Sequence, residues 1–332
     1  MDTKFDFNDI LIEAAITTDI NSRKEINIYT ELGSLPLITA PMDTIIDEEN
    51  EQLFDNLNII TCSPRGVENN YGFESYSLVD MVNKLNNKEL NKTGSYLIDI
   101  ANGHMNSLSL FIIDLKKQYP NIILMVGNVA NPYTYKVLSE SGADFIRIGV
   151  GNGNACSTTL QTGVGYPMGS LISECYAIKK YTQNPAKIVA DGGMKNYSDV
   201  IKALALGADY VMVGSLFNKA IESCGSNYLF KTIRVPQIVA EFCYKYKIPV
   251  YKKFRGMSTK EVQKKWGKKE LTTSEGVIRF RKTEYTLSQW VDNFEDYLRS
   301  AMSYSNAKSL DQFIGKVDII KISDNAYNRF KK

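Results

Sequence analysis

Short apolar runs alternate with amphipathic stretches through the first two thirds of the chain. The apolar runs fall at 35–40, 58–62, 96–100, 122–126, 145–148, 187–190 and 210–213. Most are continuous rather than alternating, which predicts strands covered on both faces. Between them, apolar residues recur at helical spacing over 107–119, 132–141, 169–181 and 197–206, with Asn121, Gly142 and Gly207 where those helices should stop. Strand and helix in alternation predict a parallel sheet, and about seven strands within roughly 215 residues predict a (β/α)8 barrel more than an open doubly wound sheet. An eighth strand is not evident.

The last third differs. A helix is expected over 235–246. Residues 254–285 are polar and lysine-rich, with Gly256, Gly267 and Gly276, and predict a mobile active-site cover. A closing helix over 286–303 carries Leu287, Val291, Phe294, Leu298 and Met302 on one face. No linker or repeat divides the chain, so residues 1–332 are read as one barrel domain with an excursion at about 228–285.

Composition narrows the partners. The 332 residues are 44% hydrophobic and 23% charged, with a net charge of +2. Charge alone therefore predicts no nucleic-acid partner. No apolar run reaches the length of a membrane span, and the polar N-terminus lacks the features of a signal peptide, so no membrane and a cytoplasmic location are expected. Five scattered cysteines without a CxxC pair and a single histidine, His104, predict no metal centre and reduced thiols. A histidine just after a strand is more often structural than catalytic.

Candidate chemistry gathers at strand ends. The run Gly149-Val150-Gly151-Asn152-Gly153-Asn154-Ala155-Cys156-Ser157-Thr158 follows a predicted strand directly. Its glycines let backbone approach a ligand, and Cys156 is placed to act as a thiolate nucleophile. Asp191-Gly192-Gly193 and Gly214-Ser215 follow two later strands, where glycine amides form anion sites.

These runs, in their order, resemble the IMP dehydrogenase and GMP reductase family over nearly the whole length. The matching stretches include Ala40-Pro41-Met42-Asp43-Thr44, Asp99-Ile100-Ala101-Asn102-Gly103-His104, Gly127-Asn128-Val129, the cysteine loop, Arg255-Gly256-Met257-Ser258 and Ser274-Glu275-Gly276. The resemblance implies that Cys156 attacks C2 of a purine nucleotide, with Thr158 and Glu275 as the proton relay and acid. It implies substrate contacts at Met42, Asn154, Asp191, Gly192, Gly193, Gly214, Ser215, Met257, Ser258 and Gly276. Asp99, Asn102, Asn128, Gly149 and Gly151 match the nicotinamide side, which implies NADPH. A monovalent cation at the Gly151-Gly153-Cys156 loop and a homotetramer belong to the same implication.

Within the family, the dehydrogenase branch hydrolyses its intermediate with an Arg-Tyr pair on a flap. Here the fifteen residues between Ser258 and Ser274 hold neither arginine nor tyrosine, and no regulatory domain pair is inserted. The expectation is a GMP reductase-type enzyme; IMP dehydrogenase, a reductase of dGMP or another purine nucleotide, and a non-catalytic nucleotide-binding homologue stay open. Departures from the pattern are Asn154, Phe254 and Ala40, where phosphate donors are usual, and a region 62–96 that is shorter by about a βα unit and leads in with Ser63-Pro64-Arg65-Gly66.

Overall fold

A computed structural model describes residues 2–257, 259, 262 and 276–330. Strands β1 (Ile10–Ile12), β2 (Leu37–Thr39), β3 (Glu74–Tyr76), β4 (Ser95–Asp99), β5 (Ile123–Val129), β6 (Phe145–Ile148), β7 (Lys187–Asp191) and β8 (Tyr210–Val213) come first. They are followed by β9 (Asn227–Leu229), β10 (Ile233–Val235), β11 (Val250–Arg255), β12 (Ile278–Lys282) and β13 (Ile319–Lys321). Seven of them form one parallel sheet in the order β2-β8-β7-β6-β5-β4-β3.

Residues 59–62 close that sheet into a barrel. Ile60 bridges to Ile38 on one side, and Cys62 bridges to Phe73 on the other. The Thr39 amide donates to the Ile60 carbonyl at 3.0 Å, and the Phe73 amide to the Thr61 carbonyl at 2.9 Å. The expectation of a missing strand near 62–96 is therefore corrected. The strand is β3, whose Glu74-Ser75-Tyr76 alternates and so leaves no apolar run to read. The contraction lies between Cys62 and β3, where a loop stands in place of a barrel helix.

The inside of the barrel is filled by Ile38, Cys62, Phe73, Leu97, Met125, Phe145, Val189, Tyr210 and Met212. Helices Asn106–Gln118, Pro132–Glu140, Met168–Lys179 and Tyr197–Leu206 cover the outside, near their expected positions. The helix Leu287–Tyr304 buries Trp290, Phe294, Leu298 and Met302. Its Thr286 side chain accepts from the Gln289 amide while the Gln289 side chain returns to the cap, which fixes where it starts.

The described ends of the excursion form regular structure, while most of the cover expected over 254–285 lies outside the described residues. β9–β12 make a four-stranded antiparallel sheet in the order β10-β9-β11-β12, with the helix Gln237–Lys245 against it. These short strands mix cations with aromatics, so no simple period marks them.

Candidate active site

The site is built where parallel strands end. The loop after β6 carries Cys156, whose Sγ lies 3.1 Å from Thr158 Oγ1. The thiol is partly exposed. Burial pushes the thiol of Cys62 up to about 12 and raises those of Cys175 and Cys224 as well, with burial the largest cause in each. None of those three is available as a nucleophile near neutral pH.

The cysteine loop is held by the far hairpin. Cys156 forms an antiparallel bridge with Gly276. The Val277 amide donates to the Ala155 carbonyl at 3.0 Å, and the Gly256 amide donates to the Val277 carbonyl at 3.2 Å. A Cβ at Gly256 would lie 2.6 Å from the Ala155 oxygen, so only glycine allows the two loops this close. Met257 follows and is half-buried. Ser258 and Glu275 lie outside the described residues, but their neighbours Met257 and Gly276 adjoin this junction.

The other candidate substrate residues converge on the same loop. Asn154 Nδ2 donates to Ser215 Oγ at 2.7 Å, joining the β6 and β8 ends. A Cβ at Gly214 would sit 3.4 Å from Met42 Sδ, which places Met42 beside the β8 loop. Gly192 has φ +89, and a Cβ there would approach the Gly153 amide nitrogen to 2.9 Å, so the two glycine loops touch through bare backbone. Gly149 backs onto the Asp191 carbonyl in the same way, while Gly151 faces Thr159 and Gly193 faces Asn152.

Behind this layer runs a charged network that the apolar pattern hid. Arg147, 6% exposed in the middle of β6, donates from Nη1 to Asp99 Oδ1 and from Nη2 to Asp191 Oδ2, both at 2.8 Å. Burial works against its charge, but the two carboxylates outweigh it and hold its pKa above the ordinary arginine value. Asn128 Nδ2 donates to Asp191 Oδ2 at 2.7 Å and to the Gly149 carbonyl at 2.9 Å. Arg65 ion-pairs with Asp99 from the contracted segment, Nε to Oδ2 at 3.3 Å, and also donates to the Asp99 carbonyl. Arg255 binds Asp43 at 2.6 Å, tying the end of β11 to the loop of Met42. The one signal for Arg147 was a cation inside Phe145-Ile146-Arg147-Ile148, since a buried charge demands partners. Nothing in the sequence singles out the Asp43–Arg255 pair.

Two residues are used locally. Asn102 Oδ1 accepts from the His104 amide at 3.1 Å. His104 Nε2 accepts the Ala130 amide at 3.0 Å and Nδ1 meets Thr134 Oγ1 at 2.9 Å, so the ring is neutral with its proton on Nδ1. Burial holds its pKa below the usual value. Among the described residues no group of His, Cys, Asp and Glu could hold a metal, and no helix is long and apolar enough to cross a membrane.

Known proteins are similar in sequence to this chain across nearly their whole length. A protein named GMP reductase from Staphylococcus epidermidis is 30% identical over 344 residues, covering 98% of both chains. One of the same name from Buchnera aphidicola is 28% identical over 366 residues, covering 99% of this chain and 98% of its own. The one from Caenorhabditis elegans is 28% identical, covering 98% of this chain and 94% of its own. The sequence model described as the IMP dehydrogenase / GMP reductase domain matches residues 79–330, and the chain belongs to that family.

Proposed function

We propose that the protein catalyses the NADPH-dependent reductive deamination of GMP to IMP and ammonia through a covalent bond between Cys156 and purine C2. The observation that carries this reading is the Cys156–Thr158 contact at 3.1 Å on a loop bridged to Gly276. Thiol and hydroxyl are thereby held beside Gly276, the residue that follows Glu275 in the sequence.

Cys156 attacks C2 as a thiolate, forming a carbon–sulfur bond. Glu275, relayed by Thr158, gives a proton to the 2-amino group, and the carbon–nitrogen bond breaks to release ammonia. A reduced nicotinamide held by the residues named below would supply a hydride to C2. Cys156 then departs as thiolate. Asp191 has its Oδ2 spent on Arg147 and Asn128, while Oδ1 has no protein partner among the described residues and is free to accept from a ribose hydroxyl. The Gly192, Gly193 and Gly214-Ser215 amides hold the phosphate.

The residues present fit a phosphate-bearing cofactor on one count. A cavity of about 250 Å³ lined by Gly103, His104, Asn106 and Tyr133 lies against the start of the helix Asn106–Gln118. The capping residue there, Met105, makes no side-chain hydrogen bond and its carbonyl takes the Leu108 amide at 3.0 Å, so the Asn106 and Ser107 amides are left for an anion. Asp99, Asn102, Asn128, Gly149 and Gly151 would hold the nicotinamide end. The same reading carries a monovalent cation at the Gly151-Gly153-Cys156 loop, a cytoplasmic homotetramer, and a purine nucleotide as substrate.

Loss of reduced-nicotinamide absorbance with GMP, matched by ammonia release and abolished in Cys156→Ser with GMP binding retained, is the expected result. Turnover of dGMP alone would narrow the substrate. NAD⁺ reduction with IMP would overturn the reading in favour of a dehydrogenase, and binding without turnover in favour of a nucleotide-binding homologue. Glu275→Gln is expected to lower the single-turnover rate by about 10² to 10⁴ with little change in GMP affinity.

A further inference from the structure

The four-stranded sheet beside the site has two unlike faces. Cross-strand partners share a face, so Arg234, Tyr228, Tyr251 and Lys282 form one row across β10, β9, β11 and β12. Phe280, opposite Lys253, belongs to the same face, and its ring meets Tyr228 edge-on with centroids 5.0 Å apart. The other face carries Leu229, Val235 and Val250, which the helix Gln237–Lys245 covers through Ala240 and Cys243.

The open face joins aromatic rings to unpaired cations. Lys231 sits 5.2 Å over the Tyr251 ring. Lys231, Arg234 and Lys282 are exposed, and none pairs with a carboxylate among the described residues. Residues 227–235, 250–255 and 278–282 contain no aspartate or glutamate at all. The chain-wide balance of +2 averages this asymmetry away. At the β9–β10 turn, Phe230 and Lys231 both adopt positive φ, +52 and +64. Such backbone is costly for a phenylalanine, and here it holds that ring 71% exposed at the tip.

We propose that this face binds single-stranded nucleic acid, with Phe230, Tyr251 and Phe280 stacking on bases and Lys231, Arg234 and Lys282 meeting phosphates. Every base has a face on which a ring can stack, and an open sheet offers rings to unpaired bases that a duplex keeps hidden. An acidic peptide would satisfy the cations and leave the rings without a planar partner. The catalytic reading is not a premise of this proposal.

The test is fluorescence anisotropy of labelled 12-nucleotide oligo(U) and oligo(dT) with the full chain. Three phosphate contacts predict that affinity falls about twenty-fold between 50 and 200 mM salt. Tyr251→Ala is expected to weaken binding about tenfold or more, and the Lys231→Glu, Lys282→Glu double variant to abolish it. Phe230→Ser, at an exposed tip, gives the same direction with no risk to folding; circular dichroism and melting check the others. No binding at 50 mM salt, binding indifferent to all these variants, or duplex bound as tightly as single strands would overturn the proposal. Self-association lost in the same variants, without oligonucleotide binding, would assign the face to a second copy of the chain instead.

Discussion

Gly256→Ala isolates the junction between the cysteine loop and the far hairpin. Gly256 is not among the glycines with left-handed backbone, so alanine meets no conformational objection there. The obstacle is space: the new Cβ would stand 2.6 Å from the Ala155 oxygen and 3.0 Å from Gly276 Cα. An unstrained carbon–oxygen contact needs roughly 3.3 Å, so the loops must part by about 0.7 Å. Both obstructing atoms are backbone, and no rotamer change relieves them. Overpacking of this kind costs about 1–3 kcal/mol of stability. The effect on chemistry is of similar size, because a displacement near 1 Å at a reacting group costs about 10² in rate, or about 2.7 kcal/mol. Single-turnover oxidation of the reduced cofactor with GMP, beside urea unfolding, measures both. Gly33→Ala is the control: at φ +75 with no atom within 4 Å of the added carbon, it should cost about 1 kcal/mol and leave the rate alone. A Gly256→Ala enzyme with an unaltered single-turnover rate would refute the idea that the hairpin positions the thiol.

Arg147→Met leaves Asp99 and Asp191 without their shared cation and should cost about 3–5 kcal/mol in urea unfolding, with Arg147→Lys recovering part; a loss below about 1 kcal/mol would mean that water replaces the guanidinium. Thr158→Val should lower the single-turnover rate less than Glu275→Gln does, since water can stand in for a relay hydroxyl. Lys252 is fully buried among Cys224, Glu222, Glu241 and Asp47, and burial lowers its pKa to about 8. The unfolded chain then binds more protons between about pH 8 and 10.5, so this residue makes stability rise with pH across that window, by about 3 kcal/mol at most. The wild-type minus Lys252→Met difference in unfolding free energy should show that slope, and a flat difference would refute the assignment.

The barrel was legible because its strands are apolar on both faces and its helices keep one stripe. β3 escaped because three residues of Glu-Ser-Tyr carry no such run, and its parallel pairing with β4 is what identifies it. The glycine-rich loops marked the candidate site, since close backbone approach leaves glycine as its residue. Arg147 was half-visible, as a charge where the pattern allows none. The Asp43–Arg255 pair, 212 positions apart, left no trace at all in local sequence. The basic sheet went unread, and β12 fell inside the polar cover expected over 254–285, because strands of three to six residues with mixed faces show neither period.

The bridge from Cys156 to Gly276 has a consequence for synthesis. Domains begin to fold from the N-terminus as the chain emerges. A nascent chain that stops before residue 256 already holds Cys156, Thr158 and every parallel strand of the barrel, yet lacks the backbone that receives the cysteine loop. Its thiol is present but not aimed. Chemical competence therefore arrives late, only when the segment through Val277 has left the ribosome and donated its amide to Ala155. If Cys156 is the nucleophile proposed above, translation itself thus keeps its thiol idle until the fold around it is nearly whole.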